Sequence, residues 1–544
     1  MLFLSSLGNG KPLVVCFCFV NPIINKDLGQ EIFDSLRNRP FRPFLMDYGL
    51  SSPKGFSRGM VLALSLKLIK VLNQRKVGKY VGVVLPPGLG GFVANFALIL
   101  SGRIPVNLNF TQGAELNQYI LSITNIQTIL TASKVVHKFP EFPWPEDLFW
   151  IDRYLTNFSK HPFGVLVTFA RLWLRPERVR KEFLFLPENE SETAVILFTS
   201  GSSGKPKGVR LSHRNILYNC RQLSGLDLFQ NGPKVLVNLP LFHSFGFTVG
   251  MIFSTVRGLP LVCAPSPLNH RLNLKAITNE QVEILLGTPT FLRGYLQQAR
   301  KEELKSIRYV VAGAEKSSAK FRSRWESTVE CEYLEGYGLT ETSPALSFNL
   351  PGSGKKDGSV GRLLPGVECK TLDVESGEQT DSLVGGILCF RGGNVFDGYW
   401  QDDGQTNAVL DADGWFKTGD LGRLDEEGFL WIEGRISRFS KIGGEMVSHQ
   451  MIEEAITHVL HICPGQDLPF VVTAREHDQK GEEIILVSTL SLDLNQIQKA
   501  LRADGVPNLW IPRDYISVKA IPILSTGKVS WGEIRKLIQN FKNG

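Results

Sequence analysis

From about residue 59 the chain alternates helix-period apolar segments with short apolar strands, and nothing else in it limits the fold as much. MVLALSLKLIKVL gives way to VGVVLP, then FVANFALIL, IPVNLN, a short helical stretch and IQTILTA, the rhythm of β-α-β units. The rhythm resumes after 190 with TAVILF, KVLVNLPL, LPLVCAP, VEILLGTP and RYVVAGAE, separated by helical stretches such as LNLKAITNE and TFLRGYLQQAR. Strands that are apolar throughout belong to parallel sheets covered on both faces. Between about 345 and 434 short strands with Gly-rich turns take over, including GGILCFRGG and a hairpin around Asp425 to Gly428. Beyond Gly434, helices (SHQMIEEAITHVL, LNQIQKALRA, WGEIRKLIQNF) and strands (FVVTA, EIILVSTL) suffice for a separate core. The expected fold class is α/β: a large N-terminal domain (1–434) of layered, mostly parallel sheets and helices with a small β subdomain, plus a small α+β C-terminal domain (435–544).

Composition removes several classes. With 43% apolar and 21% charged residues the chain is not disordered. Its eight cysteines form no C-x-x-C pair, which suits a reducing, cytoplasmic setting. A net charge of +7 spread over 544 residues leaves an acidic partner open, and no nucleic acid partner is expected. Residues 12–24 are too short and too interrupted to span a bilayer and read as core; no other segment reaches about 18 uninterrupted apolar residues. Residues 161–183 join an apolar, aromatic stripe to Arg171, Arg175, Arg178, Arg180 and Lys181. Two readings stand side by side: a helix in a membrane interface, giving peripheral contact on the inner face of the cytoplasmic membrane, or a helix packed on its own domain with a solvated basic face.

The strongest chemical signal is AVILFTSGSSGKPKGVRLSH, 194–213: a strand, a loop of Thr199, Ser200, Gly201, Ser202, Ser203, Gly204, Lys205, Pro206, Lys207 and Gly208, then an expected helix. Bare amides, hydroxyls and two ammonium groups are what a polyphosphate requires. The spacing excludes a Walker A loop, since Thr199 stands where the first glycine should be and Pro206 follows Lys205. It also excludes a G-x-S-x-G nucleophile elbow, because Lys205 replaces the second glycine.

With LFHSFGF (241–247), YGLTETSP (337–344), WFKTGDLG (415–422), GRISRFSKIGGEMV (434–447) and STGK (525–528) following in order, the chain resembles the adenylate-forming enzymes: acyl-CoA synthetases, luciferases and the adenylation domains of peptide synthetases. The resemblance implies ATP and Mg²⁺ as cofactors and a mobile small domain that turns about a hinge after Gly434, with Ser437 at the usual polar hinge position. By the same resemblance Glu341 is the carboxylate ligand of Mg²⁺, and Thr340 contacts the α-phosphate. Asp420 accepts from both ribose hydroxyls, and Arg435 contacts the ribose and phosphate side. Gly313, Ala314 and Glu315 line the adenine, Tyr337 stacks on it beside Gly338, and His243 gates the acyl carboxylate. Lys528 enters the active site during adenylation and bridges the substrate carboxylate and the α-phosphate. His458, His461 and Cys463 lack a fourth ligand at zinc spacing and read as structural.

Within the family, PVNLNFTQGAE (105–115), SKIGGEMVS (440–448) and the 161–183 insertion resemble bacterial acyl-acyl carrier protein synthetases of phospholipid recycling. No histidine has Asp five residues on, so the H-x-x-x-x-D of a fused acyltransferase is lacking, and the chain reads as the ligase alone. The expected activity is ATP-dependent activation of a long-chain fatty acid as acyl-AMP, then transfer to the phosphopantetheine thiol of holo acyl carrier protein. A fatty or aryl acid coenzyme A ligase is the alternative, followed by a nucleotide or acyl-adenylate sensor without turnover.

Overall fold

A computed structural model describes residues 27–185, 192–199, 205–442, 445–462, 469–477, 481–523 and 529–542. The apolar stretch 12–24, the loop residues Ser200 to Gly204, Cys463 and Lys528 lie outside the described residues.

Two sheets frame the larger part. The six-stranded sheet runs Asp147–Trp150, Thr128–Thr131, Tyr80–Val83, Ile104–Asn107, Thr193–Thr199, Lys207–Ser212, with every neighbour parallel except the last pair. The nine-stranded sheet has a parallel centre (Glu332–Gly338, Tyr309–Ala312, Ile284–Gly287, Val235–Val237, Leu261–Cys263, Pro43–Asp47) and antiparallel edges. Their centres read as unbroken apolar runs because both faces are covered. Helix Leu89–Leu100, apolar all round, is correspondingly buried almost throughout, with Phe92 and Phe96 in edge contact.

Three expectations need correction. The motif at 199–208 leads into a strand and only then into helix His213–Ser224; its two flanks pair antiparallel as a hairpin stem, with Thr199 opposite Lys207. The helix starts late because Ser212 and Asn215 form a capping box there, while Val209 and Leu211 alternate into the core as strand residues do. Strands Ala345–Phe348 and Arg362–Leu363 extend the nine-stranded sheet, so the separate antiparallel five-stranded sheet begins only at Glu368. Residues 161–183 are two helices, Phe163–Leu174 and Pro176–Phe183, because a proline at 176 cannot continue the first.

After strand Leu430–Arg435 and one short turn, the chain enters a fourth sheet covered by helices His449–Val459 and Leu494–Ala503. Its apolar clusters, around Ile452, Phe470 and Leu486 and around Ile485 and Ile534, share no residue with those of the earlier chain.

Candidate active site

The site forms where the hairpin stem meets the ends of the parallel strands and the last two strands of the five-stranded sheet, Phe416–Leu424 and Leu430–Arg435. Strand Glu332–Gly338 carries Tyr337 to its C-terminal end, where the chain turns tightly; a Cβ on Gly338 would lie 1.8 Å from the Pro344 carbonyl oxygen, so only glycine fits. Glu341 follows in a single helical turn and is buried. The Tyr399 hydroxyl donates to its Oε1 at 2.9 Å. Burial raises the Glu341 carboxyl above its ordinary value more than Tyr399, Arg435 and Lys207 lower it. This carboxylate is short of compensating positive charge.

Asp420 and Arg435 face each other as cross-strand partners in the five-stranded sheet. Arg435 Nε donates to Asp420 Oδ1 at 2.6 Å, and the Tyr337 hydroxyl donates to Oδ2 at 2.5 Å. Each oxygen keeps a second lone pair, so the carboxylate can still accept from a diol while the protein holds its orientation. Asp420 in turn holds Arg435's proton more firmly, and burial, then Asp420, pushes the Tyr337 phenol well up.

The other motif residues converge on the same place. Lys207 at the hairpin stem donates to Gln405 at 2.7 Å and lies 5.1 Å from the Tyr399 ring centre, within electrostatic reach of Glu341. Lys205 is exposed, with its ammonium 5.4 Å from the Tyr119 ring. Ser244 donates to Thr340 at 3.4 Å, bringing LFHSFGF against YGLTETSP. Gly313 follows strand Tyr309–Ala312 and lies against Gly336 and Phe245; Ala314 takes a left-handed φ of +70°, a strained conformation of the kind that collects at ligand sites. Glu315 Oε2 accepts from the Thr290 amide and hydroxyl. His243 ends an aromatic row, Phe139, Phe110, Phe242, His243, with successive ring centres 4.9, 5.3 and 4.6 Å apart. The next nine residues, Phe245–Phe253, form a π-helix, a rare wide turn favoured at functional sites. Tyr399 and Gln405 were not among the sequence candidates. The available signal was the aromatic turn DGYW just before the Asp402-capped helix.

The arrangement can hold a nucleotide: the ammonium groups of Lys205 and Lys207 at the hairpin stem, a carboxylate oriented by Tyr337 and Arg435, and a buried carboxylate whose charge Arg435 and Lys207 offset only in part. A model of the AMP-binding enzyme family matches residues 33–400. The chain belongs to the AMP-binding enzyme family. It is an adenylate-forming ligase whose cofactors are ATP and Mg²⁺. Glu341 fits the metal, since a hard cation completed by phosphate oxygens needs one such carboxylate. Among similar curated proteins, the long-chain-fatty-acid–CoA ligase of Bacillus subtilis (strain 168) is 27% identical over 93% of this chain and 94% of its own length. The mitochondrial medium-chain acyl-CoA ligase ACSF2 of Rattus norvegicus is 31% identical over 63% of this chain, which is 57% of its own length. Of solved structures, ATP-bound MatB from Rhodopseudomonas palustris superposes with a TM-score of 0.77 at 22% identity, over 95% of this chain and 100% of its own. O-succinylbenzoate coenzyme A synthetase from Bacillus subtilis with ATP and magnesium gives 0.74 at 21%, over 93% and 99%.

Proposed function

We propose that the protein joins a fatty acid to the thiol of coenzyme A through an acyl adenylate. The observation that carries this reading is the match with a long-chain-fatty-acid–CoA ligase, which covers 93% of this chain and 94% of that one. It favours coenzyme A over the acyl carrier protein expected from the sequence. The aromatic row ending at His243, beside the π-helix, supports an apolar acid.

In this reading a carboxylate oxygen of the acid attacks the α-phosphorus of ATP, the bond to the β-phosphate oxygen breaks, and pyrophosphate leaves. Lys528 and Thr340 meet the charge that develops on the transferred group, and Asp420 with Arg435 fixes the ribose. Bound Mg²⁺, on Glu341, supplies charge neutralisation at the phosphates. In the second half the thiolate attacks the acyl carbon, the carbon–oxygen bond to AMP breaks, and AMP leaves; the thiol proton passes to solvent. Between the halves the part beyond 435 turns. Two anchored arginines bracket the pivot: Arg435 is tied to Asp420 on one side, while Arg438 donates to Glu453 at 2.7 Å and to the Val472 carbonyl at 2.8 Å and stacks on Trp531. Only Ile436 and Ser437 lie between them.

The test offers the protein ATP, Mg²⁺ and palmitate with coenzyme A and holo acyl carrier protein in separate tubes, and weighs the acceptors by mass spectrometry. Palmitoyl-coenzyme A with AMP is expected. Product on the carrier protein alone would overturn the acceptor, and pyrophosphate release with benzoate but not palmitate would overturn the acid.

A further inference from the structure

Helix Phe163–Leu174 is apolar on both sides, yet only one side is covered. Val165, Thr168 and Leu172 are buried against helix Arg58–Gln74, where Phe169 comes so close to Gly59 that a Cβ there would lie 2.5 Å from its ring. The other side is a helical stripe at i, i+3, i+4, i+10 and i+11, and it faces outward: Phe163 is 79% exposed, Leu166 50%, Val167 41%, Trp173 64% and Leu174 67%. Phe41, 67% exposed on a neighbouring loop, continues the stripe through ring contacts with Phe169 and Trp173 at 5.1 and 6.5 Å. A surface helix of a protein surrounded only by water carries polar residues there, and a contiguous apolar patch of this kind marks an interaction site.

The charge around the stripe selects the partner. Arg39 and Arg42 flank Phe41, Arg175 follows Leu174, and Arg178 and Lys181 stand on the next helix, all exposed and with no ion pair among the described residues. The acids of 161–185 do not offset them: Glu182 is held by Lys70 and Arg171, and Glu177 lies 4.0 Å from Arg180. Aromatic and aliphatic side chains rimmed by unpaired cations match a bilayer interface rich in anionic headgroups.

We propose that this face docks on an anionic lipid surface, with helix Phe163–Leu174 lying in the plane of the interface, its outward stripe and Phe41 among the acyl chains, and the flanking arginines on headgroup phosphates. If the substrate is a fatty acid, as proposed above, docking holds the enzyme where that substrate collects, but the binding itself does not depend on that reading.

The test sediments the full chain with phosphatidylcholine vesicles and with vesicles containing about 30% phosphatidylglycerol, at low and high salt. Wild type should sediment with the anionic vesicles, less so at high salt, and brominated lipid should quench its tryptophan fluorescence more than that of Trp173→Phe. The double variant Phe163→Ser/Trp173→Ser should bind about tenfold less, and Arg39→Gln/Arg42→Gln/Arg175→Gln should lose the preference for the anionic vesicles. Exchange of pyrophosphate into ATP with octanoate, a soluble acid, should be unchanged in the double variant. Wild type that fails to sediment, or a double variant that sediments as well as wild type, overturns the proposal. So does a lipid-free dimer that the double variant dissolves, which would assign the face to a second copy. Failure of pyrophosphate exchange in wild type would instead sink the proposed ligase activity and leave the vesicle result standing.

Discussion

The wall of the active site and the surface of helix Phe163–Leu174 depart from the ordinary pattern of a folded chain in opposite directions. The site buries charge: the Glu341 and Asp420 carboxylates are enclosed, and each is given protein partners, Tyr399 for one and Arg435 with Tyr337 for the other. The helix exposes apolar surface and gives it little beyond the edge of Phe41 against Trp173. Both departures cost stability. A buried polar group and an exposed apolar patch are the informative exceptions to burial statistics, and here each points to something bound from outside, a nucleotide in one place and a lipid surface in the other.

The sharpest way to break this contrast is to remove charge from the site without changing its shape. Glu341→Gln retains an acceptor for Tyr399 and loses the negative charge, so acid-dependent pyrophosphate exchange should fall by about 10²–10³-fold at saturating ATP and Mg²⁺. Circular dichroism should show the fold intact. An unchanged rate would make Glu341 a structural cap on the turn. The next largest effect is expected at Asp420→Asn, which weakens the acceptors facing Tyr337, Arg435 and the ribose together: AMP affinity, read by calorimetry, should drop about thirtyfold. A loss smaller than threefold would mean that the carboxylate serves the protein's own network and not the nucleotide.

How much of this was legible in the sequence depends on the range of the interaction. The parallel centres were legible because covered strands are continuous apolar runs, and the site motifs because each packs its chemistry into a few consecutive residues. The strand Lys207–Ser212 is hard to see in the sequence, because its alternation of Val209 and Leu211 is brief and sits directly against a helix signal. The strands at 345–363 carry no local mark of the nine-stranded sheet they join, because short strands between glycines look alike until their partners are known. Tyr399 donates to a carboxylate 58 residues away, which no local pattern encodes. Helix Phe163–Leu174 is apolar on both faces, so the side turned to water is decided by helix Arg58–Gln74 and not by its own spacing. Of the two readings the sequence left open for this segment, a solvated basic face is not the one this helix presents; its outward side is apolar.

His213 sharpens the comparison from the stability side. It follows the hairpin stem directly, is buried, and accepts the Leu28 amide on Nδ1 at 3.2 Å. Burial lowers its pKa from 6.5 to about 4, so between those values the unfolded chain binds the proton and the folded one does not. Its contribution is fully present above pH 6.5 and is lost as the pH falls toward 4. At pH 5 the loss is about 2 kcal/mol relative to neutral pH. His213→Gln should flatten the fall of the unfolding midpoint over that window; an equally steep fall would show that other groups govern acid unfolding.

The smallest effect is expected where the surface looks most wrong. Trp173 is 64% exposed, and its recorded contact is the edge of Phe41. If the outward stripe serves a partner and not the fold, Trp173→Ser should move the unfolding free energy by no more than about 0.5 kcal/mol in lipid-free buffer. Its inward neighbour Leu172, packed on helix Arg58–Gln74, should cost about 2–4 kcal/mol on truncation to alanine. A Trp173→Ser loss comparable to that of Leu172→Ala would mean that the stripe is holding the chain together through contacts with its own residues, and the opposition between the two regions would fail on the side of the surface.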